Sequence, residues 1–217
     1  MIYSNTHLRG AIINAFIDFH KYLSYLEIGI NNGVNFREIC AISKQAVDPH
    51  WKLYPKFDNI YTGTSDDFFK INNKKFDIIF IDGLHTEEQS KKDIKNALDV
   101  LANNGTILCH DISPQVPSQI APETYDGVVY DKNCWKSWLY FRKTRSDILM
   151  TALSDGDLLG VIQKGRQDTL ETNCEITFEN YIINRKKWLN LMSIQEYGKE
   201  LTNFKWQPLN YIWDKKK

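Results

Sequence analysis

The chain has 217 residues, 42% apolar and 25% charged, which is enough for one sizeable core and unlike the composition of a disordered chain. Lys plus Arg and Asp plus Glu each number 27, so no net field gathers nucleic acid or an anionic membrane, and the short basic end Lys215-Lys-Lys217 does not alter this. Four cysteines, Cys40, Cys109, Cys134 and Cys174, stand far apart without a CxxC pair, suggesting neither a disulfide framework nor a zinc knuckle and fitting a reducing compartment.

The first residues lack the basic start and apolar block of a signal peptide, and runs such as Ile78–Ile81 are too short for a membrane span, so a cytoplasmic protein is expected. A leading helix is predicted within 1–22, with Ile12, Ile13, Phe16 and Ile17 at helical spacing after the polar residues Ser4, Asn5 and Thr6. Short apolar runs at 23–28, 45–48, 59–62, 76–81 and 106–110 alternate with helical patterns. That rhythm predicts βαβ units and a parallel sheet.

The first strand leads into Glu27-Ile-Gly29-Ile-Asn31-Asn-Gly33, followed by a helix whose buried face is Phe36, Ile39 and Cys40. Glycine there lets a ligand approach the backbone. A dinucleotide fingerprint wants Gly-x-Gly-x-x-Gly, but Asn31 fills the second position and Phe36 follows Gly33 where a small residue belongs. Glu27 is poor company for a diphosphate and good company for a cation. Asp48, at the end of the next strand, suits a bidentate contact with two ribose hydroxyls, and Gly63-Thr64-Ser65 after the third strand is placed to meet a base ring.

Beyond the fourth strand, Thr86 and Gln89 predict a capping box, with Glu87 and Glu88 at the positive end of the helix dipole and Ile94, Ala97, Leu98 and Leu101 on the apolar face. Asn103-Asn-Gly105 predicts a left-handed stop before the fifth strand. Residues 112–133, with Pro114, Pro117, Pro122 and Gly127, read as a long loop. The aromatic stretch Cys134–Arg142 reads as a helix, and Ile148–Ala152 with Leu158–Gln163 as an antiparallel hairpin. A helical segment over 171–191 and an aromatic tail with Phe204, Trp206, Tyr211 and Trp213 follow. The chain is expected to be a single domain, with a core over 23–165 and an extension over 166–217.

The segments Tyr25–Gly33, Ala46–Trp51, Gly63–Phe68 and Phe76–Asp111 resemble successive motifs of class I S-adenosylmethionine-dependent methyltransferases, over roughly half the chain. More narrowly, Phe76-Asp-Ile-Ile-Phe-Ile-Asp-Gly-Leu-His85 and Asn104-Gly-Thr-Ile-Leu-Cys-His-Asp111 are similar to a small bacterial group associated with capsule polysaccharides and modified sugars. The resemblance implies an α/β, Rossmann-like fold, a seven-stranded mostly parallel sheet with an antiparallel last strand and helices on both faces. It also implies S-adenosylmethionine as cofactor, and methyl transfer to a hydroxyl, or less readily an amine, of a small sugar or nucleotide-sugar acceptor. Cofactor contacts then fall to Glu27, Gly29, Asn31, Gly33, Asp48, Thr64, Ser65 and Asp82.

Asp82, His85, His110 and Asp111 sit at the ends of adjacent strands and form the expected reaction centre, with His85, His110 and Asp111 catalytic. Histidine suits a general base near neutral pH. His85 reads equally as a backbone-satisfied residue at the helix start. Some relatives hold Mg²⁺ with acids at these strand ends; here Asp82 and Asp111 match, and His110 stands where such enzymes tend to have another acid. Trp135, Trp138, Trp206 and Trp213 read as core or subunit interface before acceptor pocket, leaving a homo-oligomer open, and Lys136, Arg142 and Lys143 as a solvated face before a phosphate site. Two further classes stay open. An NAD-dependent Rossmann oxidoreductase or epimerase is opposed by Glu27 and Asn31, and a noncatalytic partner protein would keep the fold without turnover.

Overall fold

Residues Tyr25–Ile28, Phe76–Ile81 and Ile107–Cys109 are apolar almost without interruption, the pattern of parallel strands covered on both faces. In the computed structural model, which describes residues 5–50, 59–125 and 127–200, they form the middle of an eight-stranded sheet. Helix α1 (Asn5–His20) leads to β1 (Ser24–Ile28), α2 (Val34–Glu38), β2 (Ser43–Val47), β3 (Ile60–Tyr61), α3 (Ser65–Ile71), β4 (Phe76–Ile81), α4 (Glu87–Val100) and β5 (Leu101–Cys109). A 3₁₀ turn (Pro117–Ile120), β6 (Glu123–Tyr125), β7 (Val128–Tyr130), α5 (Cys134–Thr144), β8 (Ile148–Leu153), β9 (Gly160–Lys164), α6 (Phe178–Leu189), β10 (Leu191–Met192) and α7 (Ile194–Glu200) complete the order.

The strands lie in the order β10-β8-β9-β5-β4-β1-β2-β3. Among the described residues, only β9 is antiparallel to its neighbours in this sheet, and the short β10 adds an eighth strand to the seven expected. After β3 the chain crosses to the other side of β1, so the order reverses between β1 and β4 and opens a crevice at their carboxyl ends. Alternate strand residues feed two cores. Leu26, Ile79 and Ile107 pack with Ile94 of α4, Trp138 of α5 and Trp188 of α6, whereas Tyr25, Phe80 and Leu108 pack with Ile13 and Phe16 of α1.

Several sequence expectations change. Thr86 caps α4 by accepting the Gln89 amide at 3.2 Å, but the Gln89 side chain turns to Ser65, Asp66 and Asp93, so the capping box is half formed. No left-handed stop follows α4: Leu101 has φ −71° and opens β5 directly. The register between β4 and β5 shifts after Phe76 opposite Leu101, resuming at Ile78 opposite Thr106. Gly105 is required there because a Cβ would lie 2.7 Å from the Asp77 carbonyl oxygen. The loop over 112–133 contains the 3₁₀ turn and the β6–β7 hairpin, and Cys40 is exposed beyond the end of α2.

Trp135 and Trp138 are 1% and 0% exposed and belong to the core. Arg142 is buried and donates to the Trp188 carbonyl and to Gln167, which ties α5 to the segment before α6 and removes it from any phosphate site. Phe204, Trp206, Tyr211 and Trp213 lie outside the described residues. Among the described residues, no helix is long and apolar enough to cross a membrane.

Candidate active site

β1 stops at Ile28 and the chain turns over the carboxyl end of β4. Gly29, Asn31 and Gly33 take φ of 84°, 47° and 64°, left-handed values suited to glycine and asparagine. At Gly29 a Cβ would fall 2.1 Å from the Asp82 carbonyl oxygen, so the crossing requires glycine. The Ile30 and Asn31 amides both donate to Asp48 Oδ2, at 3.0 and 2.9 Å, and the His50 amide donates to Oδ1 at 2.7 Å. Asp48 thereby anchors the loop. With Oδ2 accepting twice, the bidentate ribose contact expected of Asp48 is not open, although Oδ1 keeps a lone pair for one hydroxyl.

Glu27 is 1% exposed and accepts the Tyr25 hydroxyl at 2.6 Å, while the Asn35 amide donates to that hydroxyl at 3.3 Å. Burial pushes the Glu27 carboxyl up to about 8, against the downward pull of its Tyr25 and Asn35 hydrogen bonds. At neutral pH it is an uncharged acid beneath the glycine loop, ready to ionise against a cation. Thr64 caps α3 by accepting the Asp67 amide at 3.1 Å, and Ser65 donates to Asp93 Oδ1 at 2.6 Å. Both hydroxyls therefore serve α3 and its link to α4. Burial raises the Asp93 carboxyl to about 6, with Ser65 and Gln89 opposing.

The ends of β4 and β5 bring together all four residues expected there. Asp82 Oδ1 lies 3.0 Å from His110 Nδ1 and 3.3 Å from His85 Nε2. The Asp111 oxygens stand 3.4 Å from His110 Nδ1 and 3.6 Å from His85 Nε2, on a backbone held at φ 56°. Around them close four residues that sequence reasoning did not single out. Arg9 of α1 donates to Asp82 Oδ2 at 2.5 Å and reaches Asp157 Oδ2 at 3.3 Å. Asp157, in the β8–β9 turn at φ 53°, also faces His110 Nε2 at 3.8 Å. Glu123 of β6 meets His85 Nδ1 at 3.0 Å, and Lys132 bridges Asp111 and Glu123 at 3.2 and 2.8 Å.

Burial alone would raise the Asp82 carboxyl, but His110, His85 and Arg9 outweigh it and hold the group well below the carboxylate range. Burial opposes charge on His85, yet Asp82, Asp111 and Glu123 prevail and lift its ring to about 9. His110 is raised in the same way by Asp82 and Asp111 against its burial. The His85 imidazole is therefore charged at neutral pH in this cluster. No local pattern marks Arg9, Glu123, Lys132 or Asp157 in the sequence, because their function arises only when α1, β6 and the β8–β9 turn reach the same rim.

Residues 26–112, from β1 to just past β5, match the family model for a methyltransferase domain. No curated protein matches the chain. Among solved structures, a candidate caffeoyl-CoA O-methyltransferase from Staphylococcus aureus is 20% identical, with TM-score 0.53 over 76% of this chain and 86% of that one. A candidate O-methyltransferase from Klebsiella pneumoniae aligns at 14% identity and TM-score 0.52, covering 74% and 86% of the two chains. An O-methyltransferase from Bacillus cereus, in complex with SAH, aligns at 14% and 0.52, covering 75% and 82%. These likenesses establish the Rossmann-like methyltransferase fold.

Proposed function

We propose that this methyltransferase-domain chain, acting as a single catalytic unit, moves a methyl group from S-adenosylmethionine to a hydroxyl of a small acceptor, most readily a sugar or nucleotide-sugar. The observation that carries the reading is the left-handed loop Gly29–Gly33 at the order reversal of the sheet, with a buried uncharged acid, Glu27, beneath it. A diphosphate would meet that acid with repulsion as soon as it ionised; a cationic amino-acid nucleoside would draw the proton off and gain a partner.

The residues present fit such a cofactor. Glu27 and the Gly29–Gly33 backbone would hold its amino-acid end, Asp48 Oδ1 one ribose hydroxyl, and the Asp82 segment its reactive end. Thr64 and Ser65 would contribute through the α3 start, not through free hydroxyls. When bound, the cofactor supplies an electrophilic methyl on sulfonium with a neutral thioether as leaving group.

The rim does the rest. Catalysis of an in-line displacement is mainly positioning, and Asp82, His85, Asp93 and His110 are polar groups lining a small recess at the ends of β4 and β5. His85, turned to Asp82 and Glu123, and His110, turned to Asp82, fix the carboxylates of the rim that face the acceptor. Asp111, within 3.6 Å of His85 and 3.4 Å of His110, receives the hydroxyl proton.

The test incubates the protein with labelled S-adenosylmethionine and pools of nucleotide-sugars and capsule precursors. Saturable cofactor binding and transfer of label to a sugar hydroxyl are expected. Binding of a nicotinamide dinucleotide without S-adenosylmethionine would overturn the reading, and cofactor binding with no transfer to any pool would favour the noncatalytic partner. Asp111→Asn is expected to abolish transfer with cofactor affinity unchanged.

A further inference from the structure

The reaction rim carries an excess of negative charge that its permanent cations do not balance. Among the described residues, Asp82, Asp111, Glu123 and Asp157 face only Arg9 and Lys132 as permanent cations. Within this ring, one donor atom each from Asp82, His85 and His110 lies within 4.8 Å of the other two. The separations of 3.0 and 3.3 Å from Asp82 Oδ1 to the two imidazole nitrogens matter in themselves. Ligands bound at about 2.0–2.2 Å to one ion stand roughly 3.0–3.5 Å apart in octahedral or tetrahedral arrangements.

We propose that Asp82, His85 and His110 form a site for a divalent transition-metal ion of the Mn²⁺, Fe²⁺, Co²⁺ or Zn²⁺ class, in preference to Mg²⁺ or Ca²⁺. Two imidazoles and one carboxylate are a donor set for borderline metals, whereas the hard alkaline-earth ions take oxygen. The ligand set expected from sequence, Asp82 with Asp111, thus gives way to one with two nitrogens.

The residues behind the ligands complete the argument. A metal-binding histidine turns its second ring N–H to a carboxylate or carbonyl, which fixes tautomer and orientation. His85 Nδ1 faces Glu123 at 3.0 Å, and His110 Nε2 faces Asp157 at 3.8 Å. Asp157 Oδ2 is buried on a backbone held in the left-handed region, ion-paired to Arg9 Nε at 3.3 Å but without a hydrogen bond. The outward Nε2 of His110 faces this oxygen from 3.8 Å, across a gap too long for a hydrogen bond as it stands. The second oxygen of Asp82 is fixed by Arg9, leaving Oδ1 aimed at the nitrogens. Asp111 stays beside the three ligands, free to take a proton from an acceptor hydroxyl, and a metal there would make that hydroxyl more acidic.

The experiment is a Co²⁺ titration of the full chain stripped with EDTA, read by visible absorption and by calorimetry without cofactor or acceptor. One Co²⁺ per chain with a ligand-field band is expected, displaced by Zn²⁺ and unaffected by millimolar Mg²⁺. His110→Asp is expected to lose the band and gain Mg²⁺ affinity. Because changes at His110 can impair folding, Glu123→Gln supplies a second arm, with Co²⁺ affinity falling about 10–100-fold while circular dichroism is unchanged. Absence of saturable Co²⁺ binding by folded protein would overturn the proposal. So would a thiolate charge-transfer band, which places the ion at Cys109 or Cys134, or equal binding by His110→Asp. S-adenosylmethionine binding, measured separately, distinguishes failure here from failure of the methyltransferase reading.

Discussion

The glycine loop and the charged rim meet at Asp82, whose carbonyl abuts Gly29 and whose carboxylate gathers Arg9, His85 and His110, yet they are built by opposite means. The loop is a device of backbone: left-handed residues, two amides on one carboxylate oxygen, and a glycine where a Cβ cannot fit. The rim is a device of side chains from distant elements, each charge tolerable only because the others are present. A backbone device tolerates change at its flanks. A charge cluster loses stability whenever one member is removed, because the remainder stay buried without their partner.

The largest effect is expected at the point of contact. Asp82→Asn leaves Arg9 and two imidazoles without their shared carboxylate and should cost about 3–5 kcal/mol. That corresponds to a fall in melting temperature of about 10 °C, read by thermal unfolding at neutral pH. A fall of only a degree or two would mean the rim is well solvated, and the contrast with the loop would break. Next comes Asp48→Ala, which frees the Ile30, Asn31 and His50 amides. Cofactor affinity should drop about tenfold or more by calorimetry, equivalent to about 1.4 kcal/mol or more.

Glu27→Gln separates stability from binding. The folded carboxyl at about 8 lies above its ordinary 4.5, so its contribution to stability is complete below pH 4.5 and is lost as pH rises through 8. The amide of the variant does not titrate and carries no such loss. The variant should melt a few degrees higher than wild type at pH 8 and equally at pH 4.5, while binding S-adenosylmethionine several-fold more weakly. A wild-type melting profile that does not fall between pH 5 and 8 relative to the variant would show that the buried acid is not held neutral. The smallest change, Thr177→Ala, removes the cap of α6 far from both regions and should cost about 1 kcal/mol with turnover unaltered. Loss of turnover there would mean the rim responds to any loss of stability.

The same division explains what was legible in the sequence. Glu27, Gly29, Asn31, Gly33 and Asp48 mark one turn and one strand end, and the spacing of such features survives in a string of letters. The β4 and β5 ends could be paired because consecutive apolar runs in a βαβ rhythm lie side by side. In the sequence Arg9 is one charge on the leading helix, and Asp157 stands between the two hairpin strands. Nothing local reveals that both converge on the rim around Asp82. Both histidines lie at the ends of β4 and β5, but the charge on His85 is not readable in the sequence, since it depends on Glu123 and Asp111 approaching from other segments. The stop after α4 failed for a different reason: Asn103-Asn-Gly105 does have turn chemistry, but the sheet absorbs those residues in the β4–β5 register shift, where Gly105 serves close backbone approach.

The Arg9 guanidinium between Asp82 and Asp157 gives the chain an order of assembly. A chain leaving the ribosome has made every residue of the glycine loop long before the β8–β9 turn appears, yet Arg9 keeps only Asp82 as its carboxylate partner at the rim until that turn docks. A chain ending ahead of Asp157 would also lack β9, the strand that joins β5 to β8. The Arg9 clasp on Asp157 thus forms only when β8 and β9 have paired around their turn.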